Sequence, residues 1–91
     1  MKRISIIGAG SFGTAIAVVL GGKKYSVTIW AREEEIVKGI NTNKINPSYL
    51  TDVKLPDSIE ATRSLEVALK DSDMVVFATP SHAFREVARK C

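Results

Sequence analysis

Six residues near the start of the chain, Gly8-Ala9-Gly10-Ser11-Phe12-Gly13, read G-x-G-x-x-G and sit where the apolar period changes. Before them, Ile4 to Ile7 is a short, nearly continuous apolar run, the pattern of a parallel strand buried on both faces. After them, Phe12, Ala15, Ile16, Val19 and Leu20 recur at helical spacing. This predicts a helix with these residues on one face, ended by Gly21-Gly22. Alone, such a hexamer is a weak signal, because glycine-rich runs occur by chance. Here it follows a predicted strand, opens a predicted helix and precedes a second strand that ends about twenty residues on, which is the context of a dinucleotide-binding turn. Each glycine then has a physical role. Gly8 permits the tight turn, Gly10 lets a pyrophosphate approach the backbone, and Gly13 lets the helix close on the sheet. The amides at the helix start, nearest Ser11 and Phe12, would hold the phosphates together with the helix dipole. The competing reading is a purely structural strand-to-helix turn.

The rest of the chain repeats the alternation. Tyr25 to Ala31 is β-rich, and Glu33-Glu34-Glu35 opens a second helix with acids in its first turn and an apolar face of Ile36, Val37 and Ile40. Asn41 to Ser58 has no clear period and contains Pro47 and Pro56; a loop this long in a compact domain is usually functional or hides an element. Ile59 to Ala61 reads as a short third strand. Leu65, Ala68 and Leu69 give a helical stripe starting at Ser64. Met74 to Ala78 is the clearest strand, and Phe84, Val87 and Ala88 form a last helical face after Pro80. The order βαβαβαβα implies an α/β fold with a parallel sheet and right-handed crossovers. A doubly wound sheet would have strand order 3-2-1-4, helices on both faces, and its ligand over the carboxyl ends of the first and fourth strands.

Composition narrows the class further. The chain has 91 residues, enough for one small domain, and a net charge of +3 scattered along its length. Nothing clusters Lys and Arg with aromatics as a nucleic-acid reader would, so no nucleic-acid partner is expected. Cys91 is the single cysteine, which excludes an intrachain disulfide and fits a reducing compartment. No apolar run approaches the ~20 residues of a membrane helix or forms a signal peptide. The expectation is a cytoplasmic chain with no membrane partner and no metal site.

Two strand ends carry candidate chemistry. NAD-selective folds place an acid at the end of the second strand to bind the ribose 2′-hydroxyl; here that place falls at Ala31, followed by Arg32. Alanine does not repel a 2′-phosphate, and Arg32 could pair with one bidentately, so NADP should be accepted as well as NAD. The alternative is that Arg32 lies in solvent. Glu33 complicates the argument, but Glu33 to Glu35 read as a solvated first turn. At the tip of the fourth strand, Thr79, Pro80, Ser81 and His82 would face the glycine turn. His82 invites a proton-transfer role, yet spacing fixes no partner acid, and Ser81 reads as a helix cap rather than a nucleophile.

Ile6 to Ala15, the Val27-to-Arg32 strand end, Asn46-Pro47-Ser48-Tyr49-Leu50, Lys54-Leu55-Pro56 and Ala78-Thr79-Pro80-Ser81 together resemble bacterial-type NAD(P)-dependent glycerol-3-phosphate dehydrogenase. The likeness runs through essentially the whole chain, and the Asn-Pro-x-Tyr-Leu and Leu-Pro pieces are its most particular parts. It implies a Rossmann-type domain and interconversion of dihydroxyacetone phosphate and sn-glycerol 3-phosphate with NAD(P)H, supplying phospholipid synthesis. It also places Ser11, Phe12, Arg32 and Tyr49 at the cofactor; Pro80 is expected there from its place at the fourth-strand tip, where Thr79 to His82 could touch the nicotinamide ribose or ring. In the family a catalytic lysine and a helical substrate domain lie beyond the segment matched here. Residues 1–91 are therefore expected to be the N-terminal part of the cofactor domain, inactive alone, with no catalytic residue among them; Lys70 and Lys90 are not candidates.

Other readings stay open at this point. A related 6-phosphogluconate or hydroxyisobutyrate dehydrogenase would share the Trp-x-Arg-like strand end but not the long-loop motifs. A regulatory nucleotide-sensing module would favour an acid where Ala31 stands. A methyltransferase turn usually reads G-x-G-x-G. Finally, Met74 to Ala78 would be an edge strand, apolar and without charge or proline, so the chain is expected to self-associate there. A charge at Val76 should oppose that association if its side chain faces the partner.

Overall fold

The computed structural model describes residues 2–23 and 25–78. Its elements follow in the order β1 (Arg3–Ile7), α1 (Ser11–Gly22), β2 (Ser26–Trp30), α2 (Glu34–Asn43), β3 (Ile59–Thr62), α3 (Leu65–Leu69) and β4 (Met74–Phe77). The four strands form one parallel sheet in the order β3-β2-β1-β4, as the βαβ alternation requires. The helix expected around Phe84, Val87 and Ala88 lies outside the described residues.

Alternation along the strands divides the core in two. Ile4, Ile6, Val27, Ile29, Ile59 and Ala61 point to the face covered by α1 and α2, where they meet Ala17, Ile36 and Ile40. Ile7 and Trp30 point to the other face and pack with Leu65, Ala68 and Leu69 of α3. Each fully buried isoleucine contributes roughly 1.5–3 kcal/mol relative to its exposed state, so β1, with Ile4, Ile6 and Ile7 at 1% exposure or less, is the spine of the domain. Ser5 also lies on the α3 side, where its hydroxyl donates to the Ala68 carbonyl and shares a hydrogen bond with Ser72. Ser64 caps α3, its hydroxyl accepting from the Val67 amide at 3.2 Å.

Helix α1 buries small residues deepest: Gly13, Thr14, Ala17 and Gly21. Of the expected apolar face, Ile16 and Leu20 are partly buried and pack against the core cluster, as does Val18. Phe12 and Val19 are instead 67% and 58% exposed, and with Ala15, Ile16 and Leu20 they bound a shallow apolar surface. The close approach of helix to sheet at the glycine turn puts a glycine at the contact, where a Cβ would clash.

The long loop is shorter and more ordered than its sequence suggested. Asn41 to Asn43 belong to α2, which ends at Lys44 in the left-handed region (φ 57°). The segment that follows folds back on itself, with the Leu55 amide donating to the Lys44 carbonyl at 2.7 Å and Leu55 buried. Pro47 lies against Gly39 of α2, where a Cβ would stand 2.7 Å from the proline Cδ.

On β4, Val76 packs against the larger core cluster, whereas Met74 and Val75 are exposed. The Val76 side chain faces the core, so a charge there tests packing rather than association.

Candidate dinucleotide-binding site

All four strands run the same way, so their carboxyl ends share one edge of the sheet. A cleft of about 270 Å³ opens there, lined by Gly8, Ala9, Gly10, Trp30, Ala31, Arg32, Glu33, Ile36, Tyr49 and Ala78. It spans the glycine turn, the end of β2, the start of α2 and the long loop.

The glycine turn is fixed between its neighbours. The Gly8 amide donates to the Trp30 carbonyl at 2.9 Å, and the Ala78 amide donates to the Ile7 carbonyl at 2.9 Å. Gly8 itself has φ 122°, a backbone conformation that side chains strongly disfavour. At Gly13 a Cβ would fall 2.3 Å from the Gly8 carbonyl oxygen and 3.1 Å from the Ala78 Cβ, so only glycine lets α1 start this close to the strand. At Gly10 a Cβ would meet nothing within 4 Å, and its φ of −73° and ψ of −174° are ordinary for any residue. Neither packing nor backbone geometry therefore demands glycine at position 10; the space beside it is the cleft. The arrangement fits a group that must touch the backbone, as a pyrophosphate does.

Gly10 also caps α1, with no side chain to satisfy the first amides. The Thr14 amide makes the first helical bond, to the Gly10 carbonyl at 2.9 Å; the Ser11 and Phe12 amides precede it at the positive end of the helix dipole. Their side chains do not line the cleft, and the Phe12 ring lies on the exposed face of α1. Any part these two residues play at the cofactor is through their backbone.

Sequence reasoning overlooked Asn46. Its side chain is fully buried and makes four hydrogen bonds. Nδ2 donates to the Ala9 carbonyl at 2.8 Å and to the Thr14 hydroxyl at 3.0 Å, while Oδ1 accepts from the Ser48 and Tyr49 amides at 3.0 and 3.1 Å. One amide group thus ties the glycine turn, α1 and the long loop together and sets Tyr49 at the mouth of the cleft. The available signal was an asparagine followed by proline at the start of a motif, but no period marks a buried polar residue inside a loop. Leu50, next to Tyr49, has φ 56°, a strained conformation for leucine.

Of the residues expected at the cofactor, Gly8, Gly10, Arg32 and Tyr49 line the cleft together. Ser11, Phe12 and Gly13, at the start of α1, are not among the residues that line it. Pro80 lies outside the described residues, as do Thr79, Ser81 and His82. Glu33, read as part of a solvated turn, also lines the cleft as the residue preceding α2; Glu34 and Glu35 occupy the first turn as expected. Among the described residues no cluster of His, Cys, Asp and Glu could hold a metal ion, and no helix is long and apolar enough to cross a membrane.

Comparison with known proteins agrees with this geometry. The family model of the NAD-dependent glycerol-3-phosphate dehydrogenase N-terminus matches residues 3–91. The chain is 46% identical over 88 residues to a glycerol-3-phosphate dehydrogenase [NAD(P)+] of Leptospira biflexa and 49% identical over 88 residues to one of Myxococcus xanthus. In each case the match covers 97% of this chain and 26% of the relative. The crystal structure of glycerol-3-phosphate dehydrogenase from Coxiella burnetii superposes with a TM-score of 0.92 at 34% identity, covering 98% of this chain and 27% of that one. The Plasmodium falciparum enzyme gives 0.89 at 32% identity, over 98% of this chain and 28% of that one. The chain thus spans about a quarter of the length of the proteins it matches. By the family match, the superposition and the glycine turn together, it belongs to the NAD-dependent glycerol-3-phosphate dehydrogenase N-terminal family.

Proposed function

We propose that this chain is the NAD(P)H-binding part of an oxidoreductase that interconverts dihydroxyacetone phosphate and sn-glycerol 3-phosphate. The observation that carries the reading is the contrast between Gly10 and Gly13. Packing requires glycine at position 13, whereas at position 10 the missing Cβ leaves open space in the cleft. In this reading the Gly8–Gly13 turn and the amides of Ser11 and Phe12 bind the pyrophosphate. Tyr49, at the mouth of the cleft, contacts the cofactor, and Pro80, outside the described residues, belongs to the same proposed set. Arg32 meets a 2′-phosphate where NAD-selective folds carry an acid, so NADPH is accepted alongside NADH. The nicotinamide supplies the hydride when bound; the residues of this chain hold and orient it.

The whole protein would draw its substrate site and catalytic residues from elsewhere, so residues 1–91 alone should not turn over dihydroxyacetone phosphate. Hydride transfer needs both reactants held in one oriented site. Its product, a phosphorylated glycerol, is the backbone that acylation converts to phospholipid, which suits a cytoplasmic enzyme. Self-association of the chain belongs to the same proposal, since β4 is the outermost strand on its side and Met74 and Val75 are exposed.

Titrating the chain with NADPH by nucleotide fluorescence, beside Gly10→Val, tests the cofactor reading. Binding by the parent and none by the variant is expected. Equal affinity in the two proteins would remove the glycine turn from the site.

A further inference from the structure

Arg63, just beyond the end of β3, is not among the residues that line the cleft, yet it is tied to one that is. Its Nε donates to the Arg32 carbonyl at 3.1 Å. The Trp30 indole donates to the Arg63 carbonyl at 2.8 Å. The neighbouring backbone is held as well, with the Ala31 amide donating to the Thr62 carbonyl at 3.0 Å and the Ser64 amide to the Thr62 hydroxyl at 3.1 Å. The backbone at Arg63 is thus anchored to the end of β2, and its Nε bond holds the stem of the side chain there. Beyond Nε, the two terminal nitrogens of the guanidinium fork make no hydrogen bond to any described residue.

Two exposed arginines thus occupy the tips of neighbouring strands, the side chain of one reaching the backbone of the other. Neither forms a salt bridge within the described residues. A doubly charged phosphate at the end of β2 offers acceptor oxygens to both guanidinium groups.

We propose that Arg63 is a second specificity-determining residue for the cofactor, contacting the 2′-phosphate of NADPH together with Arg32. The inference rests on the reading that this cleft binds NAD(P)H with its adenosine ribose at the end of β2. It adds that preference for the phosphorylated cofactor depends on the β3 tip as well as on the β2 tip. A different role is conceivable on the same geometry: Arg63 could act only as a bracket for the Arg32 carbonyl. The two roles differ in a double-mutant cycle.

The test measures affinity for NADPH and NADH, and for the fragments 2′,5′-ADP and 5′-AMP, in the parent chain, Arg32→Gln, Arg63→Gln and the double variant. Arg63→Gln should lower the NADPH-to-NADH affinity ratio roughly three- to tenfold, as expected for a partly exposed charge-assisted pair. It should change NADH affinity less than about twofold. In the Arg32→Gln background, Arg63→Gln should still lower the ratio at least about twofold, with the fragments following the same order. A ratio altered by Arg32→Gln but not by Arg63→Gln, or an Arg63 effect that vanishes once Arg32 is gone, would overturn the proposal and leave the 2′-phosphate reading standing. Equal weakening of NADPH and NADH by Arg63→Gln would also overturn it. If neither arginine alters the ratio, or the parent binds none of the four ligands, the underlying cleft reading fails with it.

Discussion

The side chain of Asn46 donates to the carbonyl of Ala9 at 2.8 Å, so a residue from the long loop is bonded to the centre of the glycine turn. That carbonyl also accepts from the Thr14 hydroxyl at 3.3 Å. The loop is therefore a structural partner of the turn rather than a bystander above it.

Removing that partner should be costly. Asn46→Ala removes four hydrogen bonds at once and leaves the Ser48 and Tyr49 amides without their acceptor, for a loss of about 2–4 kcal/mol of folding stability. Urea denaturation would measure it. A loss below about 1 kcal/mol would mean that water replaces the network easily. Asn46→Asp should also destabilise the chain, because a carboxylate would face the Ala9 carbonyl without a donor.

Gly10 and Gly13 should separate binding from folding. Gly13→Ala forces a Cβ to within 2.3 Å of the Gly8 oxygen and should cost about 1–3 kcal/mol of stability. Gly10→Ala occupies open space in an ordinary conformation and should leave stability unchanged or raise it by about 0.4–1 kcal/mol. Thermal melts of the two variants decide the matter; similar destabilisation in both would contradict the packing described for the turn.

Leu50 offers a stabilising substitution. Its φ of 56° costs a leucine roughly 1–2 kcal/mol that asparagine largely avoids. Leu50→Asn should raise stability by about 0.5–1 kcal/mol, allowing for some lost contact by a side chain that is 37% exposed. A lowered denaturation midpoint would show that the leucine side chain contributes more than its backbone costs.

For association through β4, Val75 is the position to charge. Val75 is 37% exposed, so Val75→Lys should shift the chain toward monomer in sedimentation equilibrium with little loss of stability. Val76→Lys, which introduces a charge against the core, should instead destabilise the fold by about 1–3 kcal/mol. A monomeric parent at high concentration would remove the association proposal.

Periodicity and turn chemistry made the sheet legible before any coordinates. The buried run Ile4 to Ile7, the alternation in β2 and the Ser64 cap each follow from a local rule, and strand order followed from the βαβ repeat. A motif or a resemblance marked Gly8, Gly10, Arg32 and Tyr49 beforehand, and these four line one cleft. The inner face of α1 was only partly legible: Ile16 and Leu20 pack against the core as their spacing implies, but at the close helix–sheet contact small residues, Gly13 and Ala17, go deepest. The bonds of Asn46 and Arg63 were not legible either: their partners are distant in sequence, and a hydrogen bond across 31 to 37 residues leaves no period.

The packing of α1 through small residues inverts the usual relation between greasiness and freedom to vary. A large side chain at Val19 stands largely in solvent, so substitution there meets little restraint from packing within the described residues. Ala17, with no exposure at all, has no such latitude, since each added methylene must lift the helix from the sheet. Lifting it would carry the helix's first amides away from the glycine turn. In a library of random substitutions, the plainest residue on this helix should therefore be among the least replaceable, with its loss read out as lost nucleotide affinity as much as lost stability.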